Sequence, residues 1–187
     1  MNGFIRIIGG KWRGRKLSVL NSEGLRPTTD RVKETLFNWL MPVIAESSCL
    51  DCFSGSGSLA FEALSRGAAH ALLIEKNKST AIQLTKNKQL LQASNCHIIN
   101  SDTLNWLKQT ANQQFDIIFI DPPFYQQLVP HIIILIEQNN WIKPGAYIYI
   151  ETEKNGLQSS HIPATWQLHR EKITGQVQSY LFISEQV

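Results

Sequence analysis

Short apolar runs alternate with segments of helical spacing along most of this 187-residue chain. The apolar runs predict strands near 48–53, 70–75, 96–100, 115–120, 145–151, 166–172 and 178–184. The helical spacing predicts helices at 28–41, 58–66, 77–93, 102–111 and 125–139, with Pro130 in the first turn of the last helix or kinking it. Because helices separate the earlier strands, we expect an α/β fold with a mainly parallel sheet that helices cover on both faces. The last two strands have no helix between them and predict an antiparallel hairpin.

The N-terminal segment has a different pattern. Residues 4–8 and 16–20 are short apolar runs joined through Gly9, Gly10 and Gly14, which predicts a β-hairpin ahead of the first helix. We therefore expect a single domain over 1–187, in which a basic hairpin-and-helix extension, 1–41, precedes a core, 42–187.

A glycine-rich segment follows the first strand of the core. Residues 50–60 read Leu-Asp-Cys-Phe-Ser-Gly-Ser-Gly-Ser-Leu-Ala and lead into a helix, whose N-terminus offers free N–H groups to a ligand. Glu75 ends the next apolar run, where an acid commonly accepts hydrogen bonds from ribose hydroxyls. The pattern predicts a nucleotide-like cofactor. A dinucleotide fits the glycines, but S-adenosylmethionine suits the short chain better, and Asp51 could receive its ammonium group.

The tetrapeptide Asp121-Pro122-Pro123-Phe124 ends another apolar strand. A carboxylate and a carbonyl beside a proline are hydrogen-bond acceptors, and the Phe124 ring is a stacking platform. Together they suit a planar, amine-bearing base turned out of its stack. A proline-rich turn with a packed ring is the alternative explanation.

Four blocks of the sequence resemble the RsmD family: 6–17, 26–40, 51–68 and 121–124, with weaker similarity at 175–182. One departure is Cys52-Phe53-Ser54, where the family pattern has Leu-Phe-Ala. The resemblance implies a Rossmann-like, S-adenosylmethionine-dependent methyltransferase with a seven-stranded sheet. It also implies methylation of the exocyclic N2 of one guanine in bacterial 16S ribosomal RNA, with the assembled small subunit rather than naked RNA as the substrate.

The motifs and the resemblance together define a set of expected site residues. For catalysis we expect Asp121, Pro122, Pro123 and Phe124. For the cofactor we expect Asp51, Phe53, Ser54, Gly55, Gly57, Glu75, Lys76 and Asp102. Asp102 has two possible roles, since an acid after the third strand can accept from the adenine amine or can cap the helix that follows.

Basic residues are concentrated at the N-terminus. Residues 1–33 contain eight basic and two acidic residues, whereas the rest of the chain has ten basic and thirteen acidic residues. Such a concentration of charge favours phosphate binding. The expected RNA-binding residues are Lys11, Trp12, Arg13, Arg15, Lys16, Arg26 and Arg31, with the Trp12 ring stacking on a base. Alternatively, the hairpin is a solvated edge ribbon.

Composition limits the remaining classes. No apolar stretch approaches the roughly 20 residues needed to span a bilayer. Three cysteines indicate reduced thiols and a cytoplasmic setting, and no spacing indicates a metal site. Cys49 and Cys52 lie on a predicted strand, where their odd separation sends the side chains to opposite faces. We expect a monomer. Two alternatives stay open, namely an adenine-N6 methyltransferase on DNA or RNA and a nicotinamide-dependent oxidoreductase.

Overall fold

The N-terminal hairpin forms a small sheet of its own. The structure, a computed structural model, describes residues 3–20 and 29–185. Strands β1 (Gly3–Arg6) and β2 (Lys16–Val19) pair antiparallel, and a short 3-10 turn at Gly10–Trp12 lies between them. The predicted hairpin is confirmed, with each strand slightly shorter than expected.

A seven-stranded sheet forms the centre of the protein. Its strands are β3 (Ser48–Asp51), β4 (His70–Glu75), β5 (Cys96–Asn100), β6 (Phe115–Ile120), β7 (Ile142–Glu153), β8 (Trp166–Thr174) and β9 (Val177–Ser184). The helices are α1 (Asp30–Leu40), α2 (Ser58–Ser65), α3 (Lys78–Leu91), α4 (Thr103–Leu107) and α5 (Leu128–Gln138). The strand order is β5-β4-β3-β6-β7-β9-β8, and β9 runs antiparallel to both of its neighbours. The mainly parallel sheet and its terminal hairpin are as predicted.

Both faces of the sheet are buried, as expected for parallel strands covered by helices. Successive residues of β6 alternate between two apolar clusters: Phe119 lies in one and Ile120 in the other. Ile5 and Leu17 of the hairpin belong to the same cluster as Phe119. The hairpin is therefore packed onto the core of the protein.

The cysteines are part of this core. Cys49 and Cys52 lie in the two different clusters, on opposite sides of the sheet. Burial raises the pKa of the Cys49 thiol to about 12, which keeps it protonated at neutral pH. Within residues 3–20 and 29–185, no group of three or more His, Cys, Asp or Glu side chains is arranged to hold a metal ion.

Four helices, α1, α3, α4 and α5, begin one to three residues later than the sequence pattern predicts. The helix expected from residue 125 starts at Leu128, because Tyr125 and Gln127 adopt left-handed backbone angles that a helix cannot contain. Pro130 lies in the first turn of α5, where its missing N–H costs nothing. Asp102 precedes α4 as its cap. None of the helices in the described part of the chain is long and apolar enough to cross a membrane.

Candidate active site

A cleft of about 720 Å³ lies where the parallel strands end. It gathers side chains that are far apart in the sequence, because the carboxyl ends of parallel strands meet at one edge of the sheet. Of the predicted residues, its walls include Asp51, Phe53, Ser54, Gly55, Glu75, Lys76, Asp102, Asp121, Pro122, Pro123 and Phe124.

Gly57 is the predicted cofactor residue that does not border the cleft. It precedes α2 with a φ of 77°, a conformation that favours glycine. A Cβ atom at Gly57 would lie 2.5 Å from the Phe61 ring and 2.7 Å from the Leu84 side chain. Gly57 therefore allows the loop to turn close to the core, and it does not face a ligand in the cleft.

Two polar atoms in the cleft wall are buried without a hydrogen-bond partner among the residues that the structure describes: Asp51 Oδ1 and Ser58 Oγ. Buried polar groups are normally satisfied, so both atoms indicate a place for ligand atoms. Burial raises the pKa of Asp51 to about 7, although backbone N–H groups of Phe53 and Ala60 oppose this shift. In its ionised form the Asp51 carboxylate can accept a hydrogen bond from a cationic donor. The Ser58 hydroxyl can donate to an anionic acceptor.

Glu75 is held by the backbone on both sides. Its Oε2 accepts from the Gly55 N–H at 2.9 Å, and its Oε1 accepts from the Asn77 N–H at 2.7 Å. Each carboxylate oxygen can accept a further bond. The glycine loop and the predicted ribose acid are therefore fixed relative to each other, with the carboxylate at the cleft wall.

Asp102 caps a helix and also borders the cleft. Its side chain accepts from the Asn105 N–H at the start of α4, and Lys76 Nζ lies 3.0 Å from its Oδ2. Burial alone would raise the pKa of Asp102, but the hydrogen bonds from Lys76 and Asn105 hold it below its ordinary value. The group lines the cleft as an anion, and an adenine contact stays a prediction.

The Asp-Pro-Pro-Phe segment forms another part of the wall. Pro122 is buried, whereas Asp121 and Phe124 are half-buried and border the cleft. The Phe124 ring meets the Tyr125 ring edge to face, with centroids 6.3 Å apart. Tyr125 has a φ of 63° and is 78% exposed. An acceptor, a carbonyl and a flat ring therefore lie together at this part of the cleft.

Glu151 is a cleft residue that the sequence reasoning missed. It lies on β7, borders the same cleft as Asp121, and is almost fully buried. The Tyr149 hydroxyl donates to its Oε2 at 2.8 Å. The signal was available: an acid in the last part of an apolar strand is the same pattern that identified Glu75 and Asp121. Ser58 was missed because a single serine after glycines has no distinctive signal.

Trp12 does not have the exposed position that was predicted for it. It is buried against the core, with 8% of its surface exposed. Its backbone N–H donates to Ser65 Oγ at 2.9 Å, and that hydroxyl donates to the Gly9 carbonyl at 2.6 Å. The stacking role is therefore wrong for Trp12, because packing on α2 removes the ring from solvent.

The basic residues of the hairpin remain at the surface. Lys11, Arg13, Arg15 and Lys16 are exposed, and Arg31 is exposed on α1. Thr29, the residue before α1, and Val32, the residue after Arg31, border the cleft, so the start of this helix connects the basic region to the site. Arg26 lies outside the described residues.

Comparison with known proteins gives consistent matches over nearly the whole chain. The family model described as "Conserved hypothetical protein 95" matches residues 5–183. Ribosomal RNA small subunit methyltransferase D of Escherichia coli K12 is 53% identical over 185 residues, 98% of this chain and 92% of that protein. The Haemophilus influenzae Rd protein of the same name is 55% identical over 183 residues, 96% and 94% of the two chains. The solved structure of yhhF from Escherichia coli superposes with a TM-score of 0.91 at 51% identity, over 98% of this chain and 99% of that one.

Proposed function

The chain belongs to the RsmD family of methyltransferases, and on that premise we propose that it methylates the exocyclic N2 of a guanine in 16S ribosomal RNA. The observation that carries the proposal is the cleft in which the glycine loop and the Asp-Pro-Pro-Phe segment face one space. The methyl donor is S-adenosylmethionine. The nicotinamide alternative is set aside by membership of a methyltransferase family.

The cleft residues fit that donor. Asp51 offers a buried carboxyl for an ammonium, Ser58 a buried hydroxyl for a carboxylate, and Glu75 an oriented carboxylate for ribose hydroxyls. We propose that Phe53, Lys76 and Asp102 surround the adenosine. When bound, S-adenosylmethionine supplies an electrophilic methyl group on a sulfonium centre.

The Asp-Pro-Pro-Phe segment would position the target base for methyl transfer. The guanine amine is a weak nucleophile because its lone pair is conjugated into the ring. If Asp121 and the Pro122 carbonyl accept its two N–H hydrogens, the nitrogen can pyramidalise and direct that lone pair at the methyl carbon. Phe124 would hold the plane of the base by stacking, and the Asp121 carboxylate stabilises the positive charge that develops on nitrogen. Alignment of both reactants contributes up to about 7–11 kcal/mol when the fit is good.

Labelled methyl transfer from S-adenosylmethionine tests the proposal directly. The acceptors are undermethylated small ribosomal subunits, naked 16S RNA and duplex DNA, and the product nucleosides are identified by chromatography. We expect N2-methylguanine from the RNA substrates, with the assembled subunit the better acceptor. Label recovered as N6-methyladenine would replace the guanine proposal by the adenine alternative, while keeping the cofactor assignment.

The raised pKa of Asp51 predicts a pH dependence for cofactor binding. Below pH 7 the carboxyl is protonated and must lose its proton to receive an ammonium group. We expect the affinity for S-adenosylhomocysteine to be constant above pH 7 and to fall about tenfold per pH unit below it. Titration calorimetry between pH 5.5 and 8.5 measures this change.

Asp51→Asn is the control for this titration, because the amide cannot ionise. The variant should bind more weakly, with an affinity that no longer changes around pH 7. The raised pKa of Asp51 also affects the stability of the unliganded protein. In the folded state Asp51 keeps its proton up to about pH 7, whereas in the unfolded chain it loses that proton near the ordinary pKa of 3.8. The free energy of unfolding of the wild-type protein should therefore fall as the pH rises from about 4 to 7. A pH-independent affinity in the wild type would contradict the role of Asp51.

We further propose that the exposed basic residues of the hairpin bind RNA phosphates. Replacing both Arg13 and Arg15 with alanine should weaken binding of 16S RNA, because fewer counterions are released. The slope of log affinity against log salt should flatten by about 0.7 to 0.9 for each phosphate that the variant no longer neutralises. Filter binding at several salt concentrations measures it.

Lys108 and Lys154, both exposed and outside the hairpin, provide a control with the same change of charge. The double variant Lys108→Ala, Lys154→Ala should keep the wild-type salt slope. Equal effects of the two double variants would mean that net charge, not the hairpin, determines RNA affinity. The assembled subunit as substrate, a monomeric enzyme and a cytoplasmic location remain our expectations.

A further inference from the structure

Glu151 is a buried carboxylate at the cleft that the mechanism above does not use. It keeps 7% of its surface exposed, and burial of a carboxylate is costly unless hydrogen bonds compensate. The Tyr149 hydroxyl provides one such bond, and Ser179 Oγ lies 3.1 Å from the same hydroxyl oxygen. Burial and the nearby negative charge of Glu151 raise the pKa of Tyr149 well above its ordinary value, so the tyrosine remains a donor.

The strand register places Glu151 next to Asp121. Residues of β6 and β7 pair in parallel, with Phe119 opposite Tyr149 and Ile120 opposite Ile150. The next residues are Asp121, which directly follows β6, and Glu151 of β7. Neighbouring strands are about 4.8 Å apart, and side chains two residues apart point to the same face. Asp121 and Glu151 therefore extend from the sheet side by side on the face that carries Phe119 and Tyr149.

Two adjacent carboxylates suit one particular base edge. The Watson–Crick edge of guanine presents two neighbouring donors, the ring N1–H and the exocyclic N2 amine. Adenine presents an amine beside an unprotonated ring nitrogen, whose lone pair would face a carboxylate. A site that reads a turned-out base by this edge can therefore separate the two purines. Each carboxylate oxygen can accept more than one hydrogen bond, so a carboxylate that already has donors can still accept from a base.

We propose that Glu151 accepts the ring N1–H of the target guanine while Asp121 accepts from its N2 amine. Glu151 then determines the choice of guanine over adenine, and Tyr149 orients its carboxylate. This inference rests on the proposed methylation of guanine N2 and deepens it by assigning the residue that selects the base.

The test replaces the target guanosine with 2-aminopurine, which keeps the exocyclic amine but has an acceptor in place of N1–H. Small subunits reconstituted with either base at the methylated position are compared by kcat/KM. The wild type should prefer guanosine by at least about 100-fold, because a site built to accept a hydrogen bond rejects an analogue that lacks the donor. If 2-aminopurine is methylated within about threefold of guanosine, N1–H is not recognised and the proposal is overturned.

Glu151→Gln sharpens the test, because the amide can donate to the acceptor of 2-aminopurine. Its rate with guanosine should fall, and its preference for guanosine should shrink at least about tenfold. A residue with only a structural role would lower both rates and leave their ratio unchanged, which would overturn the proposal. Glu153→Gln, which makes the same charge change two residues further along β7 and outside the cleft wall, should keep the wild-type ratio.

The outcomes for the two proposals are distinguishable. Absence of N2-methylguanine with the wild type would remove the proposed function and this inference with it. Normal methylation of guanosine together with an unchanged ratio in Glu151→Gln would remove only the role of Glu151. The wild-type comparison needs no variant, so similar rates with the two bases would overturn the proposal even if Glu151→Gln folds poorly.

Discussion

Replacement of Asp121 by alanine should lower the rate of methyl transfer about a thousandfold, because in the proposed mechanism Asp121 is an acceptor for the reacting amine. Asp121 borders the cleft beside Phe124, whereas the atoms that suit the cofactor belong to Asp51, Ser58 and Glu75. Affinity for S-adenosylhomocysteine should therefore remain within about threefold of the wild type, a difference below about 1 kcal/mol. Single-turnover rates and calorimetry measure the two quantities separately.

Asp121→Asn is the matched variant, since it keeps the size and one acceptor oxygen but removes the charge. Its rate should lie between those of the wild type and Asp121→Ala, because alignment is partly kept while electrostatic stabilisation is lost. If Asp121→Ala instead loses cofactor affinity as severely as turnover, Asp121 holds the cofactor and its assignment to the base is wrong.

Gly10→Ala should cause a large loss of stability, although it adds only one methyl group. Gly10 has a φ of 72°, and a Cβ atom there would lie 1.8 Å from the backbone carbonyl oxygen of Ser65. Backbone cannot move aside as a flexible side chain can, so the hairpin must shift away from α2. We expect a cost of about 1 kcal/mol for the left-handed alanine and about 3 kcal/mol more for the displacement. Urea unfolding gives the total.

Gly14→Ala separates the two contributions. Gly14 lies in the same loop with a φ of 85°, but a Cβ atom there meets nothing within 4 Å. Its variant should show only the smaller, conformational cost. RNA affinity should fall for Gly10→Ala and remain near the wild type for Gly14→Ala. Similar stabilities for the two variants would mean that the close approach to Ser65 does not hold the hairpin.

The sequence predicted the parts of the fold that follow from local pattern. Strands with apolar runs, such as β4 and β6, were located within a residue or two, and their acidic ends, Glu75 and Asp121, were identified as neighbours in one cleft. This succeeded because parallel strands bring their carboxyl ends together whatever lies between them. The terminal antiparallel pair followed from the missing helix between β8 and β9.

The errors concern features that the local sequence pattern does not determine. The burial of Trp12 depends on its packing against α2, where its partner Ser65 lies fifty-three residues away. Nothing near Trp12 in the sequence indicates that this helix is its partner. The late start of α5 depends on left-handed angles at Tyr125 and Gln127, residues that carry no glycine signal. The position of Glu151 next to Asp121 follows from the register between β6 and β7, which periodicity does not supply. The burial of Trp12 and the placement of Glu151 are set by tertiary packing and not by local propensity.

The attachment of the hairpin to α2 limits how this enzyme could be redirected to another RNA. Glu62 accepts from the Ile8 N–H at 2.9 Å, and Ser65 binds the turn at Gly9 and Trp12, while the first residue of the same helix, Ser58, borders the cleft. A chimera that exchanged only the hairpin would leave the buried Glu62 and Ser65 facing a foreign surface. Grafting a new recognition segment therefore requires the matching face of α2 as well, and that helix begins at the glycine loop.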